Sequence, residues 1–177
     1  MTKPRLAVLV AIVFAAAASR LLPHPPNTTP IAALALFGGA TFSDKRLAFL
    51  VPLAALFASD LAIGFYNNMA FVYGSFAAIV CIGLWLRNHR SGLPIAGAAI
   101  ASSILFFLVT NFGTWASSGI YPKTLAGLEA CYVAGIPFFR NTAMGDLIYT
   151  AALFGGFSLL EKAFPVLAER QTPALAT

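Results

Sequence analysis

Arg20, Asp60 and Asp146 stand at the ends of long apolar runs in a chain of 177 residues, of which 59% are hydrophobic and only 10% charged. A charge inside a bilayer is costly unless it is paired or wetted, so such positions serve ion pairing, ligand binding or proton relay. Uncharged polar and aromatic residues gather at the same ends. His24, Asn27 and Thr28 follow Arg20, Tyr66 and Tyr73 follow Asp60, and Asn111, Trp115, Lys123 and Arg140 precede Asp146. These types suit a small ring compound: aromatics stack on a flat face, and charged groups hold polar ends. Each charge taken singly fits structural pairing equally well, but convergence at one end of the runs favours a site.

Covalent and metal chemistry find less support. No nucleophile elbow, phosphate loop, HExxH or CxxC motif occurs. An enzyme built on Asp60 and Asp146 would need the two carboxylates face to face. His24 supplies only one ligand, so a metal or cobalt contact there is a minor option and no cofactor is expected. Cys81 and Cys131 form no disulfide framework, and the Asn-Thr-Thr at 27–29 is a weak glycosylation signal.

The elements that position these residues read as transmembrane helices. Crossing a hydrocarbon core of about 30 Å takes about 20 apolar residues. Such runs cover Arg5 to Leu22, Ala48 to Phe65, Ala70 to Leu86, Leu93 to Phe112 and Asn141 to Leu160, with a short one at Ile31 to Phe42. The expected fold is an all-α integral membrane protein, one domain over 1–177, forming a six-helix transmembrane bundle with a short second span. In "YPKTLAGLEACYVAGIP", Pro122 suits a first helical turn, while Gly135 and Pro137 read as a stop. That predicts a separate amphipathic or re-entrant outer helix at about 122–134, with Phe138, Phe139 and Arg140 anchoring the return into the membrane. Pro23, Pro25, Pro26 and Pro30 stiffen the connection between the first two runs into a preformed lid.

Orientation follows from the basic residues, which accumulate in short cytoplasmic loops. Lys3, Arg5, Lys45, Arg46, Arg87, Arg90, Lys162 and Arg170 fall on the side of the termini, against Arg20, Lys123 and Arg140 on the other. Both termini are therefore expected in the cytoplasm of a bacterium, with the chain in the inner membrane. Asp44, Glu161 and Glu169 bring the inner side to the whole net charge of +5, while Asp60, Glu129 and Asp146 balance the outer side. The basic excess is thus topology, with no nucleic-acid partner implied. The basic start and the "AAAAS" at 15–19 also fit a cleavable leader, but removal would upset this asymmetry. Because the inner halves are almost wholly aliphatic, the pattern suits a cavity opening outward more than a channel.

Ala7, Ala11, Ala15 and Ser19 recur every four residues, a smooth face that lets another helix approach closely. An internal contact with Gly97 and Ala101 is the first expectation, a separate subunit the second.

This layout, with the short second span in "IAALALFGGATFSDKRLAFLVPLAALFASDLAIGF", resembles the substrate-binding S-components of energy-coupling-factor vitamin transporters over nearly the whole chain. More narrowly, "LPHPPNTTPIAALALFGGA" and "YPKTLAGLEACYVAGIPFFRNTAMGD" are similar to a bacterial membrane family of unknown function placed near them. The resemblance implies uptake of a vitamin-sized ligand, with an ATP-driven transmembrane partner docking on Ala7, Ala11 and Ala15 and a lid at His24 to Thr29. A cobalamin-like corrinoid is one candidate ligand, since His24 can meet a metal centre; thiamine-like and other cyclic vitamins are others. The long apolar segment at 113–140 departs from that layout. A structural membrane subunit of a respiratory or photosynthetic complex is the alternative.

Overall fold

In the computed structural model, which describes residues 1–168, six α-helices are present: α1 (Lys3–Ala18), α2 (Ile31–Thr41), α3 (Lys45–Ile63), α4 (Met69–Leu86), α5 (Gly92–Ser117) and α6 (Leu125–Ala163). Helix α1 together with the 3-10 turn that continues it to Leu21, and α3 to α6, are long and apolar enough to cross a membrane. Glu169 and Arg170 of the charge pattern lie outside the described residues.

The two ends of the described chain meet. Thr2 Oγ1 donates to the Val166 carbonyl, and Arg5 pairs with Glu161 and donates to the Leu167 carbonyl. Arg20 after α1 meets Asp60 near the end of α3, so these helices run the same way. Tyr73 at the start of α4 reaches the same Asp60, and Asn68 bonds Thr114 near the end of α5, so direction alternates from α3 onward.

At the centre lies α2, only 11 residues and about 16 Å long, every residue buried and in contact with all five long helices. Its sequence, IAALALFGGAT, is apolar on every side, as a fully enclosed helix must be. Within a bilayer, packing rather than water exclusion draws helices together, so close approach is decisive. Glycines supply it. A Cβ on Gly39 would meet the Val80 carbonyl and Gly83, and one on Gly83 would meet the Leu36 carbonyl and Gly39. The backbones of α2 and α4 therefore touch. Gly38 lies likewise against the ring of Pro52 in α3.

Two expectations are corrected. The outer helix at 122–134 and the run from Asn141 form one continuous helix, α6, of 39 residues and about 58 Å. Pro137 sits inside it, and Gly135 is no stop: its missing side chain lets α6 press onto Asn111 and Phe107 of α5. The α5–α6 hairpin is sealed by Phe107 against Tyr132 and Phe139, and by Tyr132 donating to the Leu108 carbonyl. The alanine face of α1 also has no internal partner among the described residues. Leu9, Val13 and Ala17 face the core, Ala7, Ala11 and Ala15 are exposed, and so are Gly97 and Ala101. Ser19 instead bonds the Ala16 carbonyl.

Gly83→Val is expected to destabilise the bundle by about 1–3 kcal/mol through backbone overpacking. Thermal unfolding in detergent checks this against Gly97→Ala, whose added Cβ meets nothing within 4 Å and should leave the midpoint unchanged or slightly raised, alanine being the better helix former.

Candidate functional site

Helix α2 stops short of the bundle's far end, the end opposite the termini. Counting along α2 and α4 from the Gly39–Gly83 crossing places Ile31 near Ser75, so α4 continues about 9 Å further. The space above Ile31 and Ala32 is a cavity of about 250 Å³, walled by Arg20, Tyr66, Val72, Phe106, Thr142 and Asp146. Its rim is the proline-rich connection, which contributes His24, Asn27 and Thr29. Asn27 takes φ 58°, a turn conformation asparagine tolerates well. The connection is tied to α6: Asn141 donates to the Pro26 carbonyl at 3.1 Å, and Gly145 leaves room for Thr28.

Asp146 forms part of the floor and is buried. Ser103 Oγ donates to it at 2.7 Å, and so does the backbone N–H of Ala33 in the first turn of α2. A carboxylate from α6 thereby caps α2, whose own Pro30 offers no side-chain cap. Negative charge also suits the positive end of the helix dipole.

Asp60 is engaged differently. Its Oδ1 pairs with Arg20 at 2.8 Å and its Oδ2 accepts from Tyr73 at 2.9 Å and from Tyr66 at 3.5 Å, with the carboxylate fully buried. Arg20 also donates to Ser59 Oγ. Asp60 therefore lies behind the cavity wall and holds Arg20 and Tyr66 in place. Burial, and next the nearby Asp60 charge, push the Tyr66 hydroxyl up to about 12.

Of the residues singled out from sequence, His24, Asn27, Tyr66 and Asp146 line this cavity together with Arg20, while Thr28, Asp60 and Tyr73 support it from behind. Four lie elsewhere. Asn111 turns onto the Phe107 carbonyl within α5. Trp115 donates to the Pro122 carbonyl and stacks under Lys123 at 5.3 Å, closing the α5–α6 turn. Arg140 is exposed on α6. Thr142, Val72 and Phe106 were not legible as lining residues, since apolar and hydroxyl side chains on crossing helices give no signal of which way they face. Arg5 was legible only as a topology marker. It is wholly buried between Glu161, the Leu167 carbonyl and the face of Phe157, whose centroid is 5.0 Å away.

The arrangement defines a helical membrane protein with a half-length central helix and a small polar cavity above it. Within that class, the chain belongs to a family of unknown function, DUF6580, matched over residues 1–167. No curated protein and no solved structure matches it.

Removing one partner of a buried ion pair costs about 3–5 kcal/mol. Arg20→Met should show a loss of that size in equilibrium unfolding, and adding Asp60→Leu should restore most of it. Tyr66 generates a pH dependence. Its folded pKa lies above the ordinary value of 10, so the folded state holds the phenolic proton more tightly; its contribution is intact below pH 10 and is lost as pH rises toward 12. Tyr66→Phe should make the fall in melting temperature over that window shallower.

Proposed function

We propose that this protein is a substrate-binding membrane subunit that takes a small cyclic molecule, vitamin-sized and carrying a cationic nitrogen, into the cavity above α2. The observation that carries this reading is Asp146 at the cavity floor. Arg20 is neutralised by Asp60, which leaves the Asp146 carboxylate as the charge a ligand meets, with Tyr66 and Phe106 beside it for a flat ring. A cavity of about 250 Å³ lies just below the usual range for ligand sites, roughly 300–1,000 Å³. One or two rings fit it and a corrinoid does not, so His24 at the rim serves as a hydrogen-bonding residue of the lid.

The distribution of the basic residues supports termini in the cytoplasm of a bacterial inner membrane and the cavity on the outer side. Release inward then requires energy from a separate ATP-driven membrane partner, and the exposed Ala7, Ala11 and Ala15 face of α1 is the surface on which it would dock. Binding without turnover is the proposed activity. The same exposed face also favours a second reading, a structural subunit of a larger membrane complex; copurification with a fixed set of redox subunits would decide for it.

The test is a thermal-shift titration of the detergent-purified protein with thiamine as a cationic probe and biotin as an anionic one. Thiamine at a hundred times its Kd should stabilise by about 2.7 kcal/mol, and biotin should have no effect. Asp146→Asn should abolish the shift; its amide oxygen keeps an acceptor for the start of α2 while the charge is lost, so the unliganded midpoint should fall modestly and is measured alongside. A shift from biotin alone, or one that survives in Asp146→Asn, overturns the reading.

A further inference from the structure

A larger cavity, of about 610 Å³, opens between α5 and α6 toward the termini end and shares no lining residue with the cavity above α2. Phe37 of α2 forms its back wall, and Ile95, Leu147 and Phe154 line its apolar sides. Small residues make the space: an added Cβ at Gly92 or Gly155 meets nothing within 4 Å. Leu147, Ala151, Gly155 and Ser158 are exposed along the opening, on parts of α6 that face hydrocarbon, so entry is sideways from the bilayer. At the termini end the cleft reaches Arg90 and Glu161.

One atom in this apolar cleft is out of place. Thr150 is 3% exposed and lines the cavity, yet its Oγ1, itself buried, has no hydrogen-bond partner among the described residues; rotation about χ1 presents it to the cleft. A buried hydroxyl left unpaired is costly, and hydrocarbon provides no water to satisfy it. The cleft therefore offers a large apolar volume with one unpartnered hydroxyl deep in its wall, beside Thr41, whose hydroxyl is already committed as donor to the Phe37 carbonyl, an arrangement suited to orienting a ligand.

We infer that this cleft is a second binding site, for a lipid-soluble molecule that carries a hydrogen-bonding oxygen on an otherwise apolar body. The oxygen meets Thr150 beside Phe37 and Phe154, and the apolar body fills the groove over Ala151 and Gly155. The inference is independent of what the cavity above α2 binds, because neither Asp146 nor the lid takes part.

A matched pair of probes tests it: a decyl-substituted benzoquinone, and decylbenzene, which has the same chain without the oxygens. Thermal-shift titration of the full-length protein in detergent should show the quinone binding more tightly. Thr150→Val removes only a hydroxyl that has no partner, so the protein folds as before; quinone affinity should fall about tenfold, the worth of one buried hydrogen bond, and decylbenzene should be unaffected. Gly155→Phe fills the groove and should abolish binding of both probes, whereas Gly97→Phe, on an exposed face outside the cleft, should bind as wild type. Equal affinity for the two probes, an unchanged quinone affinity in Thr150→Val, or wild-type binding by Gly155→Phe each overturns the inference. Should Gly155→Phe fail to fold, Thr150→Val decides alone. Mass spectrometry of an organic extract separates the sources, a host membrane lipid or a free lipophilic metabolite.

Discussion

A helix enclosed on every side within a membrane cannot leave its terminal backbone groups unpaired, because neither lipid nor water is there to satisfy them. Helix α2 is in that position and has almost nothing of its own to offer. The Pro30 carbonyl accepts from Leu34, Thr41 turns back onto Phe37, and the rest must come from neighbours. Asp146 serves the first turn. At the other end Arg87 donates to the carbonyls of Gly39, Phe42 and Ser43, and Arg90 to that of Ala40. An acid at the N-terminus and two cations at the C-terminus match the helix dipole at both ends. These contacts also set the register of α4 and α6 against α2, which the touching backbones at Gly39 and Gly83 then lock.

The spaces in the molecule follow from the same element. A central helix of full length would fill the bundle; one of 11 residues leaves a polar recess beyond its first turn, roofed by the proline-rich connection. On its flank, α5 and α6 part around small residues and expose a lateral cleft. Asp146 consequently has two duties, capping α2 and facing the recess, so anything bound there is sensed by the helix on which the fold is built.

Helix α1 is fastened to the bundle chiefly by an arginine at each end. Arg5 reaches Glu161 and the Leu167 carbonyl near the termini, and Arg20 reaches Asp60 and Ser59 at the far end. Between them Leu9 and Val13 pack inward, while the alanine face is left toward the bilayer. Charged contacts at the ends thus hold α1 in place while the face between them stays smooth and exposed.

Apolar length determined a great deal by itself: the five crossing helices, the short one at Ile31–Thr41 and the all-helical class follow from the cost of exposing a polar backbone to hydrocarbon. The pairing of Arg20 with Asp60 was foreseeable as one of two uses of a membrane charge, but choosing between pairing and ligand binding required knowing which residues converge. Local signals misled where tertiary packing outweighed them. Gly135 and Pro137 read as a helix stop, yet contact with Asn111 and Phe107 carries α6 straight through, and the alanine repeat of α1 fitted an internal contact as well as an outward face. Above all, no pattern along the chain links Asp146, Arg87 and Arg90 to the ends of α2. Those partners are distant in sequence and are required only because α2 is wholly enclosed, a condition that exists once the other five helices have closed around it.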